Sequence, residues 1–247
     1  MTYCLSMRLR DGLVMLSDTR TNAGVDNVSS YKKLNVFHPA PDRTIVLQSA
    51  GNLATTQEVL DRLRRDLDDP SAEESLATVD HLFEAALYLG TLSVDVGRRH
   101  ADALGAVGAD GTSTFLVSGQ IADHPPDALL VYPEGNYIRA SDERPFLQIG
   151  ETKYGKFLLE LATSSHVGLE DAAKAALSSM ISTARANLSV GPPYDLGIYR
   201  TGSHVVEHSR IERDSEFLAR LEEVWSKHLR LGLDELPMVD PSETSRL

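Results

Sequence analysis

A single cysteine, Cys4, stands in a chain of 247 residues, and one thiol excludes an intrachain disulfide framework and any multi-cysteine metal centre. The eight histidines are scattered, without His-Glu-x-x-His or another paired ligand spacing, so neither a catalytic metal nor any other cofactor is expected. There is no G-x-G-x-x-G and no phosphate loop ending in Gly-Lys-Ser/Thr, which argues against nucleotide binding. Lys and Arg number 24 against 36 Asp and Glu, a formal charge of −12. A chain this acidic lacks the basic patch that nucleic acid or an anionic membrane surface requires. The apolar stretch "GLVMLSD" has the length of a strand, not of a membrane span, and no charged prelude with an apolar core marks a targeting signal. A reducing, cytoplasmic setting fits these absences.

What is present is enough apolar residue, 42% of the chain, to bury one substantial core. Alternation and turn residues predict strands at "TYCLSMRL", "LVMLSDTR", "LNVF" and "IVLQSAG". Two helices follow, "TTQEVLDRLRRDL" with Val59, Leu60, Leu63 and Leu67 on one stripe, and "SLATVDHLFEAALYLGTLSVDV" with Leu76, Val79, Leu82, Phe83, Ala86 and Leu87. A second β run covers "TSTFLVSGQI", "ALLVYPEGNYIRAS" and "FLQIG". Helices return at "KYGKFLLELA" and "LEDAAKAALSSMISTARANL", then strands at "YDLGIYR" and "SHVVEHSRI" and a last helix at "SEFLARLEEVWSKHLRLG". Strands and helices in alternating blocks favour an α+β fold, two antiparallel sheets covered by helices in a four-layer αββα sandwich, over a parallel βαβ sheet. No repeat interrupts it. One domain is expected over residues 1–232, followed by an extended tail over 233–247 that can pack on a neighbour.

The chain begins "MTYC". Thr2 is small enough for the initiator methionine to be removed, and a terminal threonine joins a hydroxyl nucleophile to an amine base, whose ordinary pKa is about 7.7–8.0. Pairing across the turn "RDG" places Thr2 opposite roughly Thr19 to Thr21, and Asp18 near the same end of the hairpin. Cys4 shares the Thr2 face by strand parity, but it is internal and has no histidine nearby in sequence, so it reads as a packing residue. His81 and His166 read as solvated or capping residues.

The stretch "TYCLSMRLRDGLVMLSDTRTNAG" resembles the opening of proteasome-type β subunits, N-terminal-nucleophile hydrolases. With "GVDN" and the later "SVGPPYDL" it is most similar to the bacterial ancestral β-subunit group, Anbu. The resemblance implies the sandwich fold and assigns roles. Thr2 matches the nucleophile, Asp18 the acidic partner, Lys33 the catalytic lysine in preference to Lys32, and Gly51 the oxyanion-hole amide, with Arg20 and Ser189 in support. Taken singly, each has a plain structural explanation: an Asp18–Arg20 ion pair at a strand end, a solvated lysine, a turn glycine. Two departures stand out. "GETKYG" replaces a Gly-Ser-Gly turn, and in "ANLSVGPP" Ser189 matches a late serine while the expected Asp falls on Ala186 or Asn187.

The resemblance implies a threonine-dependent amide-bond hydrolase of peptidase type, working on a peptide or amide substrate within a large homo-oligomer built from dimers, as a ring or an open helix. Two other functions stay open: an amidase for a specific small peptide conjugate, and a non-catalytic assembly protein that retains the fold.

Overall fold

The computed structural model describes residues 2–22 and 28–238. It divides into two compact units, residues 1–212 and 213–247. In the second unit, helix α5 runs over Glu216–Asp234, capped by the Ser215 side chain accepting from the Leu218 amide at 3.3 Å. Most of the tail expected over 233–247, from residue 239 on, lies outside the described residues.

The first unit opens on strands β1 (Tyr3–Leu9) and β2 (Gly12–Asp18), joined by the tight turn at Arg10–Asp11. Their register pairs Cys4 with Ser17 and Leu9 with Gly12, which brings Thr2 level with Thr19, at the near end of the expected range. Strands β3 (Arg20–Asn22) and β4 (Val28–Ser30) form a small ribbon, where the sequence pattern continues the second strand to Arg20 and then turns polar over "NAGVDNVSSYKK". Then come β5 (Leu34–Ala40) and β6 (Arg43–Gly51), helices α1 (Leu53–Asp68) and α2 (Leu82–Ala106), and β7 (Ser113–Ile121), β8 (Asp127–Val131), β9 (Tyr137–Arg139) and β10 (Phe146–Gly150). Helices α3 (Lys153–Ala162) and α4 (Leu169–Ala186) and strands β11 (Tyr194–Arg200) and β12 (Val206–Ile211) complete the unit.

Two five-stranded antiparallel sheets result, in the orders β10-β1-β2-β11-β12 and β5-β6-β7-β8-β9. Helices α1 and α2 cover the second sheet, α4 covers β1 and β2 of the first, and α3 packs on α4. The sandwich has the four layers expected. Strand parity sorts the core: Ile45 and Leu47 of β6 join Val59, Leu60, Leu63 and Leu89 under the helices, whereas Val46 packs between the sheets with Leu13, Met15 and Tyr199. Such burial of alternate residues on both faces is what a sheet covered on each side demands.

One element departs from its sequence pattern. The helix expected from residue 75 begins only at Leu82, and it runs on to Ala106. Thr78 Oγ1 bonds the Ser75 amide and carbonyl and Ser75 Oγ accepts from the Ala77 amide in a local turn, and the Arg43 guanidinium holds the carbonyls of Ala77 and Val79 at 2.7 and 2.8 Å. Those carbonyls are then unavailable to a helix. Glu84 accepts from the amides of Asp80 and His81, closing the true N-terminus at His81. Leu76 and Val79 still reach the core.

Candidate active site

The carboxylate of Asp18 is the hub of the N-terminal constellation. Asp18 ends β2 with no solvent exposure. Its Oδ1 accepts from Lys33 Nζ at 2.7 Å and from the Tyr3 amide at 3.0 Å, and Oδ2 accepts from the Gly191 amide at 3.4 Å. Burial pushes this carboxyl upward, and the Lys33 ammonium and the amides of Tyr3 and Gly191 pull against that shift. Lys33, 4% exposed, also donates to the Arg20 carbonyl at 2.6 Å. Lys32 is exposed. The residue after Thr2 and the lysine thus share one carboxylate oxygen, which ties the start of β1 to Lys33.

Gly51 belongs to the opposite sheet. Ser6 Oγ meets Ser118 Oγ at 2.6 Å across the interface, and Cys4 Sγ lies 3.8 Å from the Ser49 carbonyl. Ser118 pairs with Val46, so moving from Ser6 to Cys4 on β1 moves from Val46 to Ser49 on β6. Gly51 lies two residues beyond Ser49, at the end of β6. Gly51 has φ +117° and is solvent-exposed, and a Cβ there would strike the Thr112 carbonyl, so only glycine suits this backbone.

Arg20 takes a different partner from the ion pair that "SDTR" suggests. Its guanidinium donates to the carbonyls of Leu188 at 2.5 Å and Val190 at 3.4 Å, lying against Gly191, where a side chain would overlap it. Asp18 is paired with the stronger local claimant, Lys33. Ser189 sits in the same turn, its amide donating to Asn187 Oδ1 at 2.9 Å. Among the described residues its hydroxyl makes no hydrogen bond to Thr2, Asp18 or Lys33.

Sequence reasoning missed a second clamp on Thr2. The Glu151 amide donates to the Thr2 carbonyl at 2.7 Å, past Gly150, whose φ of +84° lets the backbone lie where a Cβ would collide with that carbonyl. Glu151 Oε2 accepts from Asn187 Nδ2 at 2.9 Å. The two departures "GETKYG" and "ANLSVGPP" are therefore bonded to each other beside Thr2. The signal lay in their being unusual together, but nothing in sequence spacing pairs residues 151 and 187.

Cys4 is fully buried between the sheets with Leu116, Leu147 and Ile149, and burial pushes its thiol well up, away from the nucleophilic thiolate. Among the described residues there is no cluster of three or more His, Cys, Asp or Glu suited to a metal, and no helix is long and apolar enough to cross a membrane. A cavity of about 560 Å³ behind the partner strand of Gly51, lined by Gly97, Arg98, Ala101, Asp110 and Thr112, contains none of these site residues.

The fold recurs in solved structures. Anbu (ancestral beta-subunit) from Yersinia bercovieri superposes with a TM-score of 0.90 at 39% identity, covering 96% of this chain and 98% of its own. The helical assembly of the Anbu complex from Pseudomonas aeruginosa gives 0.92 at 38% identity, covering 98% and 100%. The chain belongs to the Anbu family. A further member, from Hyphomicrobium sp. strain MC1, is 40% identical with a TM-score of 0.86, over 96% of this chain and 99% of that one. Anbu proteins are proteasome-like N-terminal-nucleophile hydrolases in fold, and the sandwich described above is theirs. No family model and no curated protein matches the chain.

Proposed function

We propose that this Anbu protein is a threonine-dependent amide-bond hydrolase of peptidase type, in the cytoplasm, whose nucleophile is Thr2 once Met1 has been removed. The observation that carries the reading is the shared Asp18 oxygen, on which the Tyr3 amide and Lys33 Nζ converge at 3.0 and 2.7 Å. In this reading Thr2 Oγ attacks the scissile carbonyl carbon while its proton passes to the Thr2 α-amine. Lys33 stabilises the developing alkoxide, and the Gly51 amide receives the oxyanion of the tetrahedral intermediate. As the C–N bond breaks, the proton moves to the leaving nitrogen, and an acyl ester remains on Thr2. Water then attacks the ester, returning a proton to Thr2 Oγ and releasing the acid. The Asp18–Lys33 pair keeps the lysine charged and oriented.

The protein acts within a homo-oligomer built from dimers. The Pseudomonas aeruginosa relative forms a helical assembly, and on this chain Tyr154, Phe157 and Leu161 make an exposed apolar stripe along α3 at helical spacing. Labelling with a peptide epoxyketone, which needs the hydroxyl and free amine together, tests the mechanism. Wild type is expected to carry the adduct on Thr2, and Thr2→Ala none. An adduct on Cys4, or equal turnover by both proteins, refutes the terminal-threonine mechanism. No adduct and no turnover on any peptide favours the non-catalytic assembly protein.

A further inference from the structure

Two carboxylates flank the start of β1. Asp18 stands on the β2 side with both oxygens engaged, by Tyr3, Lys33 and Gly191. Glu151 follows β10 on the other side. Its amide is bonded to the Thr2 carbonyl and its Oε2 to Asn187, and among the described residues Oε1 has no hydrogen bond. Bonded at its backbone amide and at Oε2, this half-buried side chain is held beside Thr2. Backbone and side-chain dimensions keep its carboxylate within roughly 10 Å of the Thr2 α-nitrogen, about one Debye length. Asp18 is paired with Lys33, and the Arg20 guanidinium is held by the carbonyls of Leu188 and Val190. Carbonyl partners leave the Arg20 charge uncompensated, which disfavours a proton on the amine, and the Glu151 carboxylate is a negative charge at hand to offset it.

Resting on the reading of Thr2 as the nucleophile, we propose that Glu151 is a positioning residue whose carboxylate sets the proton affinity of the Thr2 α-amine, with Asn187 fixing its direction. A nearby negative charge favours the ammonium form and raises the pH at which the amine becomes a base. The "GETKYG" and "ANLSVGPP" segments thereby acquire a joint role: one supplies the charge, the other aims it.

The test measures the α-amine pKa by competitive acetylation across pH, reading the N-terminal peptide by mass spectrometry. Glu151→Gln keeps the volume and the acceptor for Asn187 but loses the charge. It is expected to lower the pKa by on the order of half a unit to one unit, and to move the acidic limb of kcat/KM the same way. Glu151→Asp is expected to keep both near wild type. Glu151→Ala, which removes the carboxylate together with its contact to Asn187, is expected to shift the pKa in the same direction and guards against a Glu151→Gln protein that does not fold. An α-amine pKa unmoved by either charge change overturns the proposal while leaving Thr2 as nucleophile. An N-terminal peptide that retains Met1 in fully active protein overturns the nucleophile reading itself.

Discussion

Lys32 and Lys33 adjoin in sequence and have opposite surroundings: one is solvated, the other is 4% exposed on a buried carboxylate. This contrast makes the pair a sharp probe of the proposed chemistry. Lys33→Ala should lower kcat/KM by at least on the order of 10², as for loss of a positioned proton-transfer or charge-stabilising group, and Lys32→Ala should change it little. Asp18→Asn should fall between them, since it leaves the lysine charged but less firmly held. Equal losses in the two lysine variants would falsify the assignment. Gly51→Ala is a different kind of test, because the added Cβ meets the Thr112 backbone at a left-handed φ. It should abolish turnover and epoxyketone labelling, while thermal unfolding stays cooperative. Intact mass of active protein should show Met1 removed.

Among the elements, the segment before α2 is where local pattern and tertiary contact disagree. The Leu76, Val79 and Leu82 periodicity reads as helix, yet Arg43 from β6 captures two of its carbonyls and the Glu84 carboxylate fixes the cap later. Hydrogen bonds to a charged group contribute roughly 1.5–3 kcal/mol each. Arg43→Ala is therefore expected to destabilise the first unit by about 2 kcal/mol or more, read as a lower midpoint in urea at unchanged slope. Amide exchange should quicken over residues 75–81 and not within α4. An unchanged midpoint would mean that the local Ser75–Thr78 turn suffices alone. The β3–β4 ribbon makes the same point in reverse. Val28 apart, its residues are polar, and the ribbon follows a pairing of Arg20 with Ser30 that only the returning chain supplies.

At the scale of the whole molecule, a charge of −12 opposes self-association, so any assembly must draw on apolar faces. Light scattering at micromolar concentration is expected to show many subunits. The particle size should hold or grow as salt rises, because screening weakens the repulsion and leaves apolar contact intact. Phe157→Glu with Leu161→Glu should reduce it without altering the circular dichroism of the fold. A persistent monomer in the wild type would count heavily against assembly through these faces.

Periodicity and turn chemistry determined the blocks of strand and helix, and with them the sandwich, because side chains that must be buried on both faces of a sheet leave a period the chain cannot hide. The opening hairpin fell within reach for the same reason: a short turn leaves little freedom of register, so Asp18 and Thr2 could be placed at one end. Lys33 and Gly51 were legible only through the resemblance, as their neighbours in space come from other strands. The carbonyls that hold Arg20 and the bond between Glu151 and Asn187 were decided by tertiary structure alone. Each joins segments far apart in sequence through a hydrogen bond that has meaning only when both are desolvated together. No local signal in the chain encodes such a distance, and packing of the two sheets and of α4 brings it to bonding range.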